Sequence, residues 1–533
     1  MGLIKPELPD YDPLEWAQLP FPARCRQVCV SWAEQGYGTP VYIFAIYGLK
    51  IGLYVGLWLL FIGEAPVMSA VAFQKAILWS MLFEILGLGC GSGPLTGRYF
   101  PPVGGLLHFL RPGTVKMPMV SVLGDTRNLI DVGLYAALLV ALGWGLSAST
   151  IEARHLWPIV GLLLVMALFD RTVFLAARGE HYYVTVLCFV FAEDWIPAAM
   201  CVQLALWFWA GVSKLNHHFP TVVCVMTSNS PILRLRALRR RMYRRFPDDL
   251  NPSGLAVWLS HGGTALELAV PVAFLLSVGS ETPVVALVLM VFLHGYITGN
   301  VPMGVPLEWN VMVVYGGFFL FGAHPEVHPF SVAPTGLAVV LACSLVVVPL
   351  VGNLVPHRLS FLLSMRYYAG NWPMSVWLFR GDSHQKLDAL VKVADWPEQQ
   401  VTRVYPRSTA VALIGKVLAF RAMHLHGRAL SMLIPKAVER FEDYTYMDGE
   451  VVAGLALGWN FGDGHLHNER LLASIQRRCK FEPGELRVIM VEPQPLGQGT
   501  QRWRIADAAT GAVEAGVVRV SELRQRQPWG AAD

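Results

Sequence analysis

The chain is short of charge. Asp, Glu, Lys and Arg make up 15% of its 533 residues, against about 25% in soluble domains. That shortage argues against an ordinary soluble enzyme. A net charge of +4 gives no nucleic-acid signature. The eight cysteines, Cys25, Cys29, Cys90, Cys188, Cys201, Cys224, Cys343 and Cys479, are scattered. No CxxC pair occurs, so neither a zinc ribbon nor a disulfide framework is suggested. HExxH is missing, as are the HxxHH boxes of a membrane di-iron hydroxylase and the GxxxxGK[ST] of a phosphate loop. The first forty residues hold no short apolar run with a cleavage site, so the first transmembrane helix is expected to direct insertion itself. No inverted repeat with paired broken helices marks an ion-coupled transporter.

What the chain has is apolar surface. Hydrophobic residues account for 54% of it, and the mean hydropathy is +0.45. A span needs roughly 20 apolar residues. On that criterion spans are expected at 41–63, 68–90, 129–148, 156–177, 254–278, 282–299, 307–323 and 333–354. The stretch 182–214 is interrupted by Glu193, Asp194 and Pro197. It reads as two helices joined by a tight polar turn, or as a broken helix lining a cavity. The expected fold is a polytopic α-helical membrane protein with nine or ten transmembrane helices and a small α+β C-terminal extramembrane domain.

Four parts follow from the composition. Residues 1–40 form a cytosolic or interfacial lead-in, whose prolines at 6, 9, 13, 20 and 22 oppose a long helix. Residues 41–355 form the bundle, with a structured re-entrant loop at 91–127 and an Arg-rich loop at 215–252. Residues 356–385 read as an interfacial linker. Residues 386–533 gain charge and break into short segments. There 451–457, 486–491 and 512–520 read as strands and 408–435 as helical. Basic loops at 91–127 and 215–252 put both termini in the cytosol, in a multi-pass plasma or inner membrane protein.

Ionisable groups inside apolar spans are costly and raise a functional hypothesis by default. The set comprises Lys50, Lys75, Glu84, Asp131, Asp170, Glu193, Asp194, Lys214, His261, Glu267, His294 and Glu308. Asp170-Arg171 reads as an interfacial pair. The anchor is Trp207 to Pro220, where an aromatic helix runs into Lys214, Asn216, His217 and His218. Lys214, His261 and His294 are the candidate catalytic residues. Glu267, Asn300, Glu308, Asn216 and His217 are candidates to line the substrate. Together they predict one polar cavity shielded from lipid, with Lys214 as general base. The bland alternatives are a snorkelling lysine and satisfied interhelical histidines. No metal is assigned. Haem held by His261 and His294 stays open as a minor alternative. The pairs His424/His426 and His465/His467, and the turn-rich stretch 458–470, complete the polar features.

Three stretches resemble a known family in matching order. Ala210 to Asn216 is similar to the Ala-Gly-x-x-Lys-Leu motif of the vitamin K-dependent gamma-glutamyl carboxylase superfamily and its horizontally transferred transmembrane relatives. Leu259 to Leu268 is similar to its His-x-Gly-Leu-x-x-Asp-Leu segment. Leu293-His294 followed by Asn300 is similar to its later Leu-His…Asn stretch. The resemblance covers residues 40–350. It implies quinol oxygenation coupled to proton abstraction, with Lys214 as base and His294 in support. The family's long extracytoplasmic domain has no counterpart here, so a lipid-like substrate is expected in place of a peptide. The whole chain also resembles a bacterial family of uncharacterised polytopic transmembrane proteins, through Gly2 to Pro6 and Gly87 to Leu95.

The leading expectation is therefore a membrane-embedded enzyme acting on a lipid or quinone-like molecule, with quinone or quinol as the cofactor to consider. The alternative is a non-enzymatic membrane component, a lipid carrier or partner subunit of a cell-envelope complex. In either case Arg residues at 234–245 are expected to grip anionic lipid headgroups.

Overall fold

The computed structural model describes residues 2–89, 103–280, 283–299, 307–359, 368–460 and 465–530. Five of its helices are long and apolar enough to cross a membrane: Val41–Ile62, Leu129–Ser147, Ile196–Ser213, Gly254–Leu276 and Thr335–Leu354. Ala153–Phe169, Val284–Thr298 and Leu307–Gly322 are shorter apolar helices among them. Outward faces carry Leu60, Val140, Leu276 and Phe292, each 68–82% exposed. Apolar surface on that scale needs a lipid cover.

Sequence breaks become structural breaks. The helix Val184–Phe191 ends before Glu193 and Asp194, and Ile196–Ser213 begins after them with Pro197 in its first turn. The predicted pair of helices joined by a polar turn is found. The expected span 156–177 is instead cut at Asp170, which ends Ala153–Phe169 and caps Arg171–Ala176 through Thr172. Asp170 does not pair with Arg171. Its carboxylate accepts from the buried Arg127 guanidinium at 3.1 Å. Lys116 meets Asp131 at 2.6 Å, also buried. Two of the cations counted toward the basic loop 91–127 are thus paired inside the fold. The glycine-rich start of that loop, 90–102, lies outside the described residues.

The C-terminal part is built on a five-stranded antiparallel sheet. With the hairpin strands Tyr243–Arg245 (β1) and Asp249–Pro252 (β2) counted first, its strands are Met374–Arg380 (β3), Tyr444–Asp448 (β4), Leu486–Val491 (β5), Thr500–Asp507 (β6) and Gly511–Arg519 (β7). Their order is β4-β3-β5-β6-β7. The sheet therefore reaches back into 356–385, the stretch read as linker. Six of the seven residues of β3 are buried, so no alternation marks it. Residues 451–457 are not a strand. They lie in the buried helix Gly449–Leu457, which Asp448 caps at the N–H of Glu450 and Gly458 ends at φ 82°. A short continuous apolar run cannot be told from a buried helix by periodicity.

Residues 1–40 are not a separate lead-in. Helix Phe21–Gln35 starts where Pro20 and Pro22 permit a helix to start. Its buried face, Cys25, Val28, Cys29 and Trp32, packs on Arg407–Met423. That second helix and His426–Ala437 form a bent pair at 104°. The pair packs on the N-terminal helix and on β5 and carries Arg407, Lys416, Arg421, Arg428 and Lys436. The Arg-rich loop is also folded, into helix Phe219–Asn229, helix Arg236–Arg241 and the β1–β2 hairpin. Arg239 is buried on the carbonyl of Glu34, Arg240 pairs with Glu34, and Arg244 with Asp249 at 3.4 Å.

Candidate functional site

Two helices meet at a glycine. A Cβ on Gly211 would stand 2.6 Å from the side chain of Leu268, so only glycine lets Ile196–Ser213 approach Gly254–Leu276 this closely. The contact carries Lys214 and Glu267 to each other. Their side chains form a buried ion pair, with the lysine 9% and the glutamate 5% exposed. Lys214 is the C-cap of its helix, where the dipole favours a cation. The ammonium also lies 5.5 Å from the ring of Phe219, a cation–π distance.

His294 faces the same space from Val284–Thr298. Its Nε2 accepts the indole N–H of Trp207 at 3.0 Å. An indole only donates, so that nitrogen carries a lone pair and the ring is neutral. Nδ1 then holds the proton and donates it to Asn310 Oδ1 at 2.7 Å. Trp207 is stacked on Phe274 at 5.3 Å, which fixes the donor. Lys214, Glu267, His294 and Asn310 share a cavity of about 130 Å³ whose remaining lining is mainly apolar or aromatic.

The expected single pocket is therefore real for Lys214, Glu267 and His294 and fails for others. His261 is exposed and lies with Asn216 and His217 on a second, polar cleft. Asn216 is spent on the next helix, accepting the N–H groups of His218 and Phe219 at 2.7 and 3.2 Å. Glu308 points to another cluster, 3.6 Å from Lys50. Asn300 lies outside the described residues. Haem between His261 and His294 finds no geometry, since both nitrogens of His294 are engaged and His261 faces elsewhere. His217 and His218 diverge, the latter buried on Gln494 at 2.8 Å. His465 meets Glu492 at 2.8 Å and His467 meets Ser375 at 2.9 Å. No group of three or more His, Cys, Asp or Glu able to hold a metal occurs among the described residues.

The second cluster joins Glu84, Lys50 and Glu308 to two residues that the sequence does not single out, Arg178 and His181. Arg178 Nε donates to Glu84 at 3.2 Å, both buried. Arg178 lies 5.7 Å from the ring of Trp309, which in turn donates to His181 Nδ1 at 3.3 Å. The polar run Arg178 to His181 had the look of a loop between spans, and nothing local distinguishes it from one.

The fold and the site together define a helical membrane protein with a polar-edged cavity among its helices and a small five-stranded sheet. The chain belongs to the family described as "Transmembrane protein of unknown function (DUF3556)", which matches residues 1–533. No curated protein and no solved structure matches it.

Proposed function

We propose that this chain is a membrane-embedded enzyme that moves protons on a lipid or quinone-like molecule bound in the cavity beside Lys214. One observation carries the reading: a buried Lys–Glu pair and a neutral imidazole border the same apolar space. A scaffold gains little from keeping ionised groups beside open volume, because each costs several kcal/mol to desolvate. A proton-exchanging site needs that adjacency.

The chemistry divides among the residues. The Lys214 ammonium passes a proton to the Glu267 carboxylate, which leaves a free amine facing the cavity. That amine takes a proton from the bound molecule, and the carboxylic acid of Glu267 returns one. His294 is committed on both nitrogens, so it orients the substrate side of the cavity and transfers no proton. The short motifs shared with the carboxylase superfamily agree with Lys214 as base. In this reading nine or ten segments cross a plasma or inner membrane, both termini are cytosolic, and Arg241 and Arg245 of the basic region face anionic headgroups.

The test is mass spectrometry of amphiphiles retained by the purified chain, followed by incubation with a membrane lipid extract. Wild type is expected to retain a defined lipid or quinone and, in deuterium oxide, to isomerise one extract component with uptake of deuterium at the carbon that gave up its proton. Lys214→Met and Glu267→Gln are expected to lose that conversion. Conversion at the wild-type rate by Lys214→Met removes the base assignment.

A further inference from the structure

Lys214 borders two cavities. Beyond the apolar one lies a cleft of about 570 Å³, between the end of the Lys214 helix and the loop Pro495 to Gly499 of the extramembrane domain. The chemistry of that cleft is one-sided. Among the described residues no Asp or Glu lines it, whereas His217, His261 and Lys214, the last already paired with Glu267, do. Its amides are mostly spent within the protein. Asn371 exchanges two hydrogen bonds with the backbone of Gln494, at 2.9 and 2.7 Å. Gln494 holds His218 at 2.8 Å, and Asn353 donates to the carbonyl of Pro349 at 2.9 Å. The helix start at Phe219 offers no anion site either, because Asn216 already accepts its first N–H groups.

What remains for a ligand is the pair of exposed imidazoles. Imidazole N–H groups, with no carboxylate among the described residues of the lining, suit a phosphate or carboxylate oxygen. We propose that the cleft receives the anionic head of an amphiphile whose chain occupies the apolar cavity, with Lys214 at the junction of head and chain. The chain's placement rests on the cavity reading given above. The head's placement rests on the cleft alone. Residues 495–499 then make the extramembrane domain part of the recognition site, which explains why this loop closes over the end of a membrane helix.

The experiment uses the full chain in phosphatidylcholine nanodiscs, titrated with dioctanoyl phosphatidic acid, dioctanoylglycerol and inorganic phosphate, with binding read by native mass spectrometry. Phosphatidic acid is expected to bind roughly tenfold more tightly than the diacylglycerol, the size of one charge-assisted hydrogen bond. The double variant His217→Gln/His261→Gln is expected to erase that preference and keep diacylglycerol binding. Both side chains are exposed, and an unchanged melting temperature checks that the fold persists. Equal binding of the two lipids overturns the proposal, as does a preference that survives the double variant. Inorganic phosphate binding as tightly as phosphatidic acid assigns the cleft to a free anion and overturns the amphiphile. If the histidine-dependent preference is found and no lipid is converted, the enzymatic reading fails and this one stands.

Discussion

Two of the buried charge clusters in this helical bundle are built differently. At Lys214 and Glu267 the pair borders a cavity of about 130 Å³. At Glu84 and Arg178 the pair is packed in. Trp309 and Trp459 lie 5.7 and 6.0 Å from the guanidinium, and a Cβ on Gly89 would collide with the Glu84 carboxylate. Arg178 also holds φ 53°, a left-handed conformation that costs about 1–3 kcal/mol and persists only where surroundings enforce it. One helix start serves both clusters. Glu308 reaches toward Lys50, Trp309 bonds His181, and Asn310 bonds His294. Buried charge alone therefore does not separate a scaffold from a site. Adjacent open volume does.

The largest effect is expected where packing is tightest. Arg178→Met takes the guanidinium away from the buried Glu84 carboxylate, and breaking a buried pair from one side costs about 3–5 kcal/mol. Thermal unfolding in detergent measures it. Glu84→Leu with Arg178→Met removes both charges and is expected to recover more than half of the loss. A single variant as stable as wild type would show that this cluster is not the locked one.

At the cavity the balance shifts from stability to function. Lys214→Met also strands a carboxylate, but water or a proton can reach Glu267 through the open volume. The expected stability loss is smaller, about 1–3 kcal/mol, while conversion of the bound molecule is lost. A stability loss as large as that of Arg178→Met would erase the contrast between the clusters. Trp207→Phe sharpens it. The ring stack on Phe274 is kept, and one hydrogen bond to His294 goes, worth about 1 kcal/mol. Retention of substrate with a slower turnover is expected, since His294 loses the donor that sets its tautomer.

Much of this was legible and some was not, for physical reasons. Lys214, Glu267 and His294 stand out because ionisable groups in apolar helices are rare. Their pairing was hidden, because Gly211 gives no sign of which helix it lets in. His261 could have been set aside sooner. It lies six residues from Glu267, a rotation of about 240° on a helix, so the two point to different faces. Strand β3 and helix Gly449–Leu457 were misread for one reason: an element buried on every side loses the period that identifies it. Arg178 and His181 were taken for loop because polarity between two apolar runs is what a loop also shows.

The extramembrane domain supplies a third environment, and the smallest effect near neutral pH. His467 is buried on Ser375, and its pKa is pushed down to about 3, mainly by burial and then by the charges of His465 and Arg421. His424 is pushed down to about 3, again mainly by burial. Unfolded histidine titrates near 6.5. Between these values the unfolded chain binds protons that the folded chain does not. Stability from these groups is thus complete above pH 6.5 and lost as pH falls toward 3. Within half a pH unit below 6.5 each group costs less than about 1 kcal/mol. His467→Asn keeps a partner for Ser375 and is expected to lower the acid slope of unfolding free energy by about one proton. Lys214→Met with Glu267→Gln, which removes both ionisable groups of the cavity pair, is expected to leave that slope unchanged. An acid slope that follows this double variant instead would tie the domain's stability to the membrane cavity, and would end the separation between the two regions.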